Sequence, residues 1–457
     1  MPTNFEFVET TPSSSLKPGK DSRIRSRCMQ GRNKREGSRR SLQERKKRER
    51  EDSTTQVTKL VQMQQTTMPP SLGSDGLVHF ACPVDPDGKG LMLKAFAYNV
   101  SNQPMTPLTQ CVNFDELDAP SFQWLYTDEA FVHSVLCSSY AVNDFTLPSW
   151  NGQPGRDVVT HMGRTLALLA KKMDAVDAHQ DEVVLCIIIN LVILAAIYGD
   201  WKAASAHFAG LQKIVQLRGG ITYLKTRSKL HFKLDRLDLA WSLSAGRKPF
   251  FLQPCLSWSP IIPPPSTPNP GTKSLPPTWD PRLLATYQDL QHLSASINAH
   301  FSTQQRIPLA EFQHALSSIQ SRLISLHGCI FDPHAELLRL ALLAYLTTTF
   351  KVPGRKIPYT WIGVQIKNAY GGVCEVEVAG DAVFKMWILM VVAVAVTDVD
   401  EGWLVRAWAE RARGVEERYV DVKGELGKVM WVDCMHDRLG VGALERMISG
   451  ARGLRDI

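Results

Sequence analysis

VVLCIIINLVILAAIY, residues 183–198, is apolar on nearly every side of a helix and is interrupted by a single amide, Asn190. The run is shorter than the ~20 apolar residues that span a bilayer, so it reads as a buried central helix and not as a membrane segment. A helix that is hydrophobic all round must be covered by other elements on all sides. ELLRLALLAYLTTTF (residues 336–350) and Ala382–Val396, where only Lys385 is charged, have the same character. Helices of this kind in one water-soluble chain imply a multilayer helical core.

Local signals around these runs give the rest of the helical pattern. Order is expected to begin near Ser121, where Phe122, Leu125, Phe131, Val135 and Leu136 recur at helical spacing. Helices are expected over Gly163–Val176, Gln180–Tyr198 and Lys229–Ser244. Trp201–Arg218 is amphipathic, with Phe208, Leu211, Ile214 and Val215 on one face. Gly219-Gly220 closes it, because glycine takes the left-handed conformation that satisfies the last carbonyls, and Arg218 suits the negative end of the helix dipole. Leu256–Pro281 has lost too many amide donors to proline to be helix or sheet and reads as an exposed connector between two halves of a bundle. Beyond it, Leu283–Ile297 and Ala310–Leu326 are expected as a pair, and Asp332 as the cap of a helix with Pro333 at its first position. Strand signals are scarce apart from Val373–Val378 (VCEVEV). The fold class is all-α, a large multilayer helical bundle.

Of the 457 residues, 44% are hydrophobic and 21% charged, so most of the chain can bury a core. Nine cysteines are widely spaced with no C-x-x-C pair, which fits buried thiols in a reducing compartment and not a disulfide framework. Met1–Lys20 lacks the apolar stretch of a secretory signal, so cytosol or nucleus is expected.

The net charge of +7 conceals an asymmetry. Residues 20–50 hold fourteen Lys or Arg against four Asp or Glu, a net of +10, which leaves −3 for all other residues. This run has no apolar period and is expected to be a disordered basic arm, residues 1–75, followed by a loop-rich lead-in over 76–120 and the helical body over 121–457. Lys34-Arg35, a spacer holding Arg39-Arg40, and then Arg45-Lys46-Lys47-Arg48 resemble a two-cluster nuclear import signal. The same cations would attract phosphate backbones through counterion release, against the plainer reading of a solvated tail. Ser41 with Glu44 could cap a basic-zipper helix, but Gly37 interrupts the basic segment and Pro69-Pro70 ends it before a third heptad.

Particular residues of the body resemble a known family. His207-Phe208-Ala209-Gly210-Leu211, then Ile214-Val215, Leu217-Arg218-Gly219-Gly220-Ile221, Asp235, Ala240, Gly246 and Pro249-Phe250 are similar to the central signature of the fungal-specific transcription factor regulatory domain. Leu338–Leu346, the run around Trp387, and Trp431 with His436-Asp437 fit its later helices, and Phe5–Val8 with Ile24–Arg27 looks like a leader found in the group. The resemblance covers about residues 120–457 and implies an all-helical regulatory region of a transcription regulator. Family members usually carry an amino-terminal six-cysteine zinc cluster that reads DNA. Here Cys28 is the only cysteine before Cys82, so that cluster cannot form.

Catalytic and phosphate-binding motifs are missing from the sequence: no G-x-S-x-G, Walker loop, G-x-G-x-x-G or H-E-x-x-H occurs. Asp433-Cys434-Met435-His436-Asp437 is the densest polar cluster, and it and His207 read as structural before functional. Trp201, Trp241, Trp387 and Trp431 are expected to fill the core, or to line an effector pocket. The combined expectation is a non-enzymatic nuclear transcription regulator with no cofactor. It would touch DNA nonspecifically or indirectly through the arm and would act through other transcription regulators. A helical small-molecule-binding protein or enzyme, and an interaction protein outside transcription, are the alternatives. Oligomeric state is open.

Overall fold

A computed structural model describes residues 79–92, 107–114, 123–147, 149–225, 227–251, 256–265, 271–349, 359–373, 381–397, 401–411 and 418–453. The basic arm and residues 374–378 of the strand candidate lie outside these residues, while Val373 ends a helix. The expected all-α class is correct. Apart from short turns, the chain runs through α1 (Glu129–Thr146), α2 (Arg156–Met173), α3 (Glu182–Tyr198), α4 (Trp201–Leu217) and α5 (Ser228–Ala245). It continues through α6 (Pro281–Thr303), α7 (Leu309–Ser325), α8 (Pro333–Thr347), α9 (Thr360–Val373), α10 (Asp381–Ala395), α11 (Gly402–Arg411), α12 (Tyr419–Val429) and α13 (Asp433–Gly453).

Aspartates set five of the helix starts. Asp128, Asp181, Asp200, Asp280 and Asp332 each accept from a backbone N–H in the first turn of the helix that follows, satisfying a donor the helix leaves orphaned. Asp280-Pro281 repeats the Asp332-Pro333 arrangement, so α6 begins inside what the proline count assigns to the connector. α2 starts at Arg156, seven residues before the expected Gly163, with Asp157 in its positive first turn and Gly155 N held by Asp144.

α3 is the centre of a first core, packed by α1, α2 and α4. Its apolar side chains from Val183 to Ile197 are nearly all buried. At about 1.5–3 kcal/mol for each fully buried Val, Leu or Ile, this one helix contributes a large share of the burial term. Among the described residues no helix is long and apolar enough to cross a membrane. A second core surrounds α8 and α10, which pack on each other and are covered by α6, α7, α9, α12 and α13. Trp241, Trp387 and Trp431 are buried as expected, while Trp201 is only partly covered.

α5 lies between these cores. Leu234, Leu237 and Trp241 enter the first, and Phe232, Leu239, Ala240 and Leu243 enter the second. It ends at Gly246, whose φ of +67 is left-handed and whose Cα faces Trp361 on α9 so closely that a Cβ would lie 2.6 Å from the indole.

The lead-in departs from expectation. Its described residues 79–92 include a short helix over 86–92, and Cys82 and Met92 join the first core. Residues 107–110 form a 3-10 turn followed by β1 (Val112–Asn113), which pairs in parallel with β2 (Ile307–Pro308) just before α7. Leu108, Cys111 and Val112 join the second core. Segments this short carry no measurable period, and tertiary contacts alone order them.

Many of the described residues of the proline-rich connector are exposed, yet it is pinned to the bundle. Asp289 of α6, 1% exposed, accepts from Ile261 N (3.0 Å) and Ile262 N (3.1 Å) and pairs with Arg322 of α7 at 2.6 Å. The Arg322 guanidinium also donates to Ser259 O at 2.8 Å. Tyr287 and Gln291 donate to Lys273 O, and Lys273 N donates to Lys428 O at the end of α12.

Two stability outcomes follow from this packing. Asp289→Ala strands the buried Arg322 charge and should cost about 3–5 kcal/mol in denaturant unfolding. Gly246→Ala meets Trp361 and a left-handed φ together, and should cost at least about 1–3 kcal/mol. Unchanged urea midpoints in either variant would contradict the packing described.

Candidate functional site

The import or nucleic-acid residues Lys34, Arg35, Arg39, Arg40, Arg45, Lys46, Lys47 and Arg48 lie outside the described residues. The signature residues lie along and after α4, and they do not converge on a pocket. Phe208 and Leu211 are fully buried in the first core, His207 is half-buried, and Gly210 and Leu217 are exposed. Burial pulls the His207 pKa down, opposed by Asp200.

The turn after α4 has the geometry its sequence suggests. Arg218 is the cap residue, Gly219 and Gly220 have φ of +99 and +67, and Gly220 N donates to Val215 O at 2.9 Å. The Arg218 side chain does more than face the helix end. Its Nε donates to the His179 carbonyl, and Nη1 donates to the Tyr223 hydroxyl at 2.7 Å, with the guanidinium over the Tyr223 ring. Arg227, beside the same ring, pairs with Glu182 at the start of α3 at 2.8 Å. Arg218 of the signature thus ties the α2–α3 link to Tyr223, and Arg227, outside the signature, ties the same stretch to the head of α3.

The other signature residues on α5 sit in a buried polar seam. Residues 234–244 are buried without a break, although they include Asp235, Arg236 and Asp238. The Asp235 carboxylate accepts from Gln313 and Ser317 of α7, with His231 Nε2 at 3.6 Å. Arg236 donates to Gln320 and to Thr349, at 3.2 Å for the latter, and burial lowers its pKa to about 10. Asp238 accepts from Phe250 N (2.9 Å) and Phe251 N (2.7 Å), which fixes the chain just after Pro249. These contacts consume the charged groups internally.

The Asp433–Asp437 cluster is also structural in its contacts. His436 Nδ1 accepts from Val432 N at 3.0 Å, so its proton sits on Nε2, which faces Thr348 Oγ1 at 2.9 Å. Asp437 accepts from Tyr419, Trp431 and Lys423. Cys434 Sγ lies 3.6 Å from Cys111 Sγ, across the second core from the lead-in.

One cluster escapes sequence reasoning. Cys82 of the lead-in, Glu129 and His133 of α1 bring one ligand atom each within 4.8 Å of one another, and His133 Nδ1 lies 2.9 Å from Nδ1 of His161 on α2. Tyr140 stacks on His161 at 5.6 Å and donates to Asp85. Only the Glu129-x-x-x-His133 spacing, one turn apart on a helix face, is visible in the sequence.

A shallow cavity of about 110 Å³ lies between the connector and α6, lined by Lys273, Leu275, Tyr287 and Gln291 among others. Sites for drug-sized ligands run to about 300–1,000 Å³, so it is too small to serve as an effector pocket of that kind. Comparison with protein-family models, with curated proteins and with solved structures finds no match to this chain.

The buried seam makes stability pH-dependent. Burial raises the Asp238 pKa from 3.8 to about 7, against the lowering effect of the Phe251 and Phe250 amides. The folded state therefore holds this proton more tightly than the unfolded chain, and the resulting stability is present below pH ~4 and lost as pH rises through about 7. Asp238→Asn should remove that part of the slope in unfolding measurements between these limits. It should also cost about 1–3 kcal/mol, since its NH2 must face one of two amide donors. An unaltered slope would show that Asp238 does not titrate in this range.

Proposed function

We propose that the protein is a nuclear transcription regulator of the fungal-specific type that works without a zinc cluster of its own. The observation that carries this reading is the net +10 charge of residues 20–50 joined to a body that bears the Leu217–Ile221 signature. The cations supply import and a sequence-independent affinity for DNA phosphates, and the helical body binds other transcription regulators that read the sequence. Arg218 of the signature joins the α2–α3 link to Tyr223, a structural contact compatible with this reading. The small-molecule and enzyme alternatives gain nothing from the shallow cavity or from titratable groups already engaged with one another.

Replacing Arg45, Lys46, Lys47 and Arg48 together by Ala should abolish nuclear accumulation of the tagged chain. Chromatin occupancy of the intact protein should give focused peaks shared with a zinc-cluster regulator. The chain lacking residues 20–50 should lose them. Cytosolic residence of the intact protein, or a folded protein with no enrichment, would overturn the reading.

A further inference from the structure

We propose that Cys82, Glu129 and His133 form a zinc site that clips the segment over residues 79–92 to α1, with His161 as the group that orients the histidine ligand. This inference is independent of the transcriptional reading.

The His133 ring is held between two partners. One nitrogen, Nδ1, contacts Nδ1 of His161 at 2.9 Å, and between two neutral imidazoles only one can donate. If His133 Nδ1–H donates, its Nε2 presents a lone pair to the Glu129 carboxylate, an arrangement that a metal cation between them satisfies. If His133 accepts instead, Nε2–H points at Glu129 Oε1 across 3.7 Å, longer than a hydrogen bond. That separation is close to the edge of a tetrahedral zinc site, about 3.4 Å for nitrogen and oxygen each about 2.1 Å from the ion. The sulfur of Cys82 falls in the same small volume.

Charge and supporting contacts agree. A thiolate and a carboxylate neutralise one divalent cation, and thiolate, imidazole and carboxylate together suit zinc. With zinc on Nε2, Nδ1–H donates to His161, the usual second contact of a ligating histidine. His161 is held in turn by the Tyr140 ring, which is anchored through Asp85. His133 is 1% exposed, whereas the Glu129 side chain is 52% exposed, so the fourth ligand position opens towards water. The site would complete a fastening already begun by Ala81 N, which donates to Leu125 O at 2.9 Å. Arg164 of α2 acts electrostatically on Cys82, His133 and His161, and its charge opposes the ion.

The purified full chain, stripped with chelator and titrated with Zn2+ against a chromophoric competitor, should bind one ion. Titration with Co2+ should produce a sulfur-to-cobalt charge-transfer band in the near ultraviolet. Cys82→Ser should lose the band and His133→Ala the binding. Glu129→Gln, at an exposed position that leaves the core intact, should weaken zinc at least tenfold. His161→Ala should weaken it roughly 10–100-fold, and Arg164→Ala should tighten it. Absence of the band in the wild-type chain would overturn the proposal. So would a band that survives Cys82→Ser, or an affinity unmoved by Glu129→Gln and Arg164→Ala.

Discussion

A helix with no exposed side cannot carry charge unless other parts of the chain meet that charge in fixed places. α5 is such a helix. From residue 234 to 244 it has no exposed position, and it holds Asp235, Arg236 and Asp238. Leaving any of these unpaired in the interior would cost several kcal/mol, a large fraction of the stability of an ordinary domain. α7 answers with Gln313, Ser317 and Gln320, the end of α8 with Thr349, and the chain after Pro249 with two amides. Because each partner has one geometry, the rotation of α5 is set. That rotation decides which of its apolar side chains enter each core. A purely apolar α5 could slide or rotate at little cost.

The same device holds the connector. Proline removes amide donors, but the donors that remain still need acceptors once the segment touches the bundle. Asp289 takes two of them and is itself balanced by Arg322, which reaches back to Ser259 O. Two aspartates on helices consecutive in the chain thus fasten it near Phe250–Phe251 and near Ile261–Ile262. At these points the chain between α5 and α6 is fastened to the bundle.

Much of this was legible from the sequence where the cause was local. Aspartate before an apolar run, glycine after one, and runs apolar on all faces located the main helices and the Gly219-Gly220 turn. The misses share a different cause. Nothing near Leu108 or Cys111 reveals that they belong to the second core, because the partners that order them, Ile307 and Cys434, are distant in the chain. Arg218 read as a dipole partner, while its hydrogen bonds run to His179 and Tyr223. Cys82, Glu129, His133 and His161 come from three separate stretches, with no ligand spacing to join them. Periodicity reports which face of an element is buried and is silent about what lies opposite.

Consider then what the interior leaves for function. Among the described residues, Asp235, Arg236, Asp238, Asp289, Arg322 and His436 are buried groups with the chemistry to act on a substrate, and each has internal partners. Catalysis asks for such groups beside a space that a ligand can enter. In this fold these groups bond one another and neighbouring backbone across helices, and the shallow cavity beside Lys273 and Tyr287 lies against the connector. A body that uses its polar chemistry to fix its own shape is suited to presenting a surface. Macromolecular partners read surfaces, and the cationic arm is the part of the sequence with the charge to attract an anionic one. In the proposed reading the helical body supplies the surface and the basic run of residues 20–50 supplies the charge.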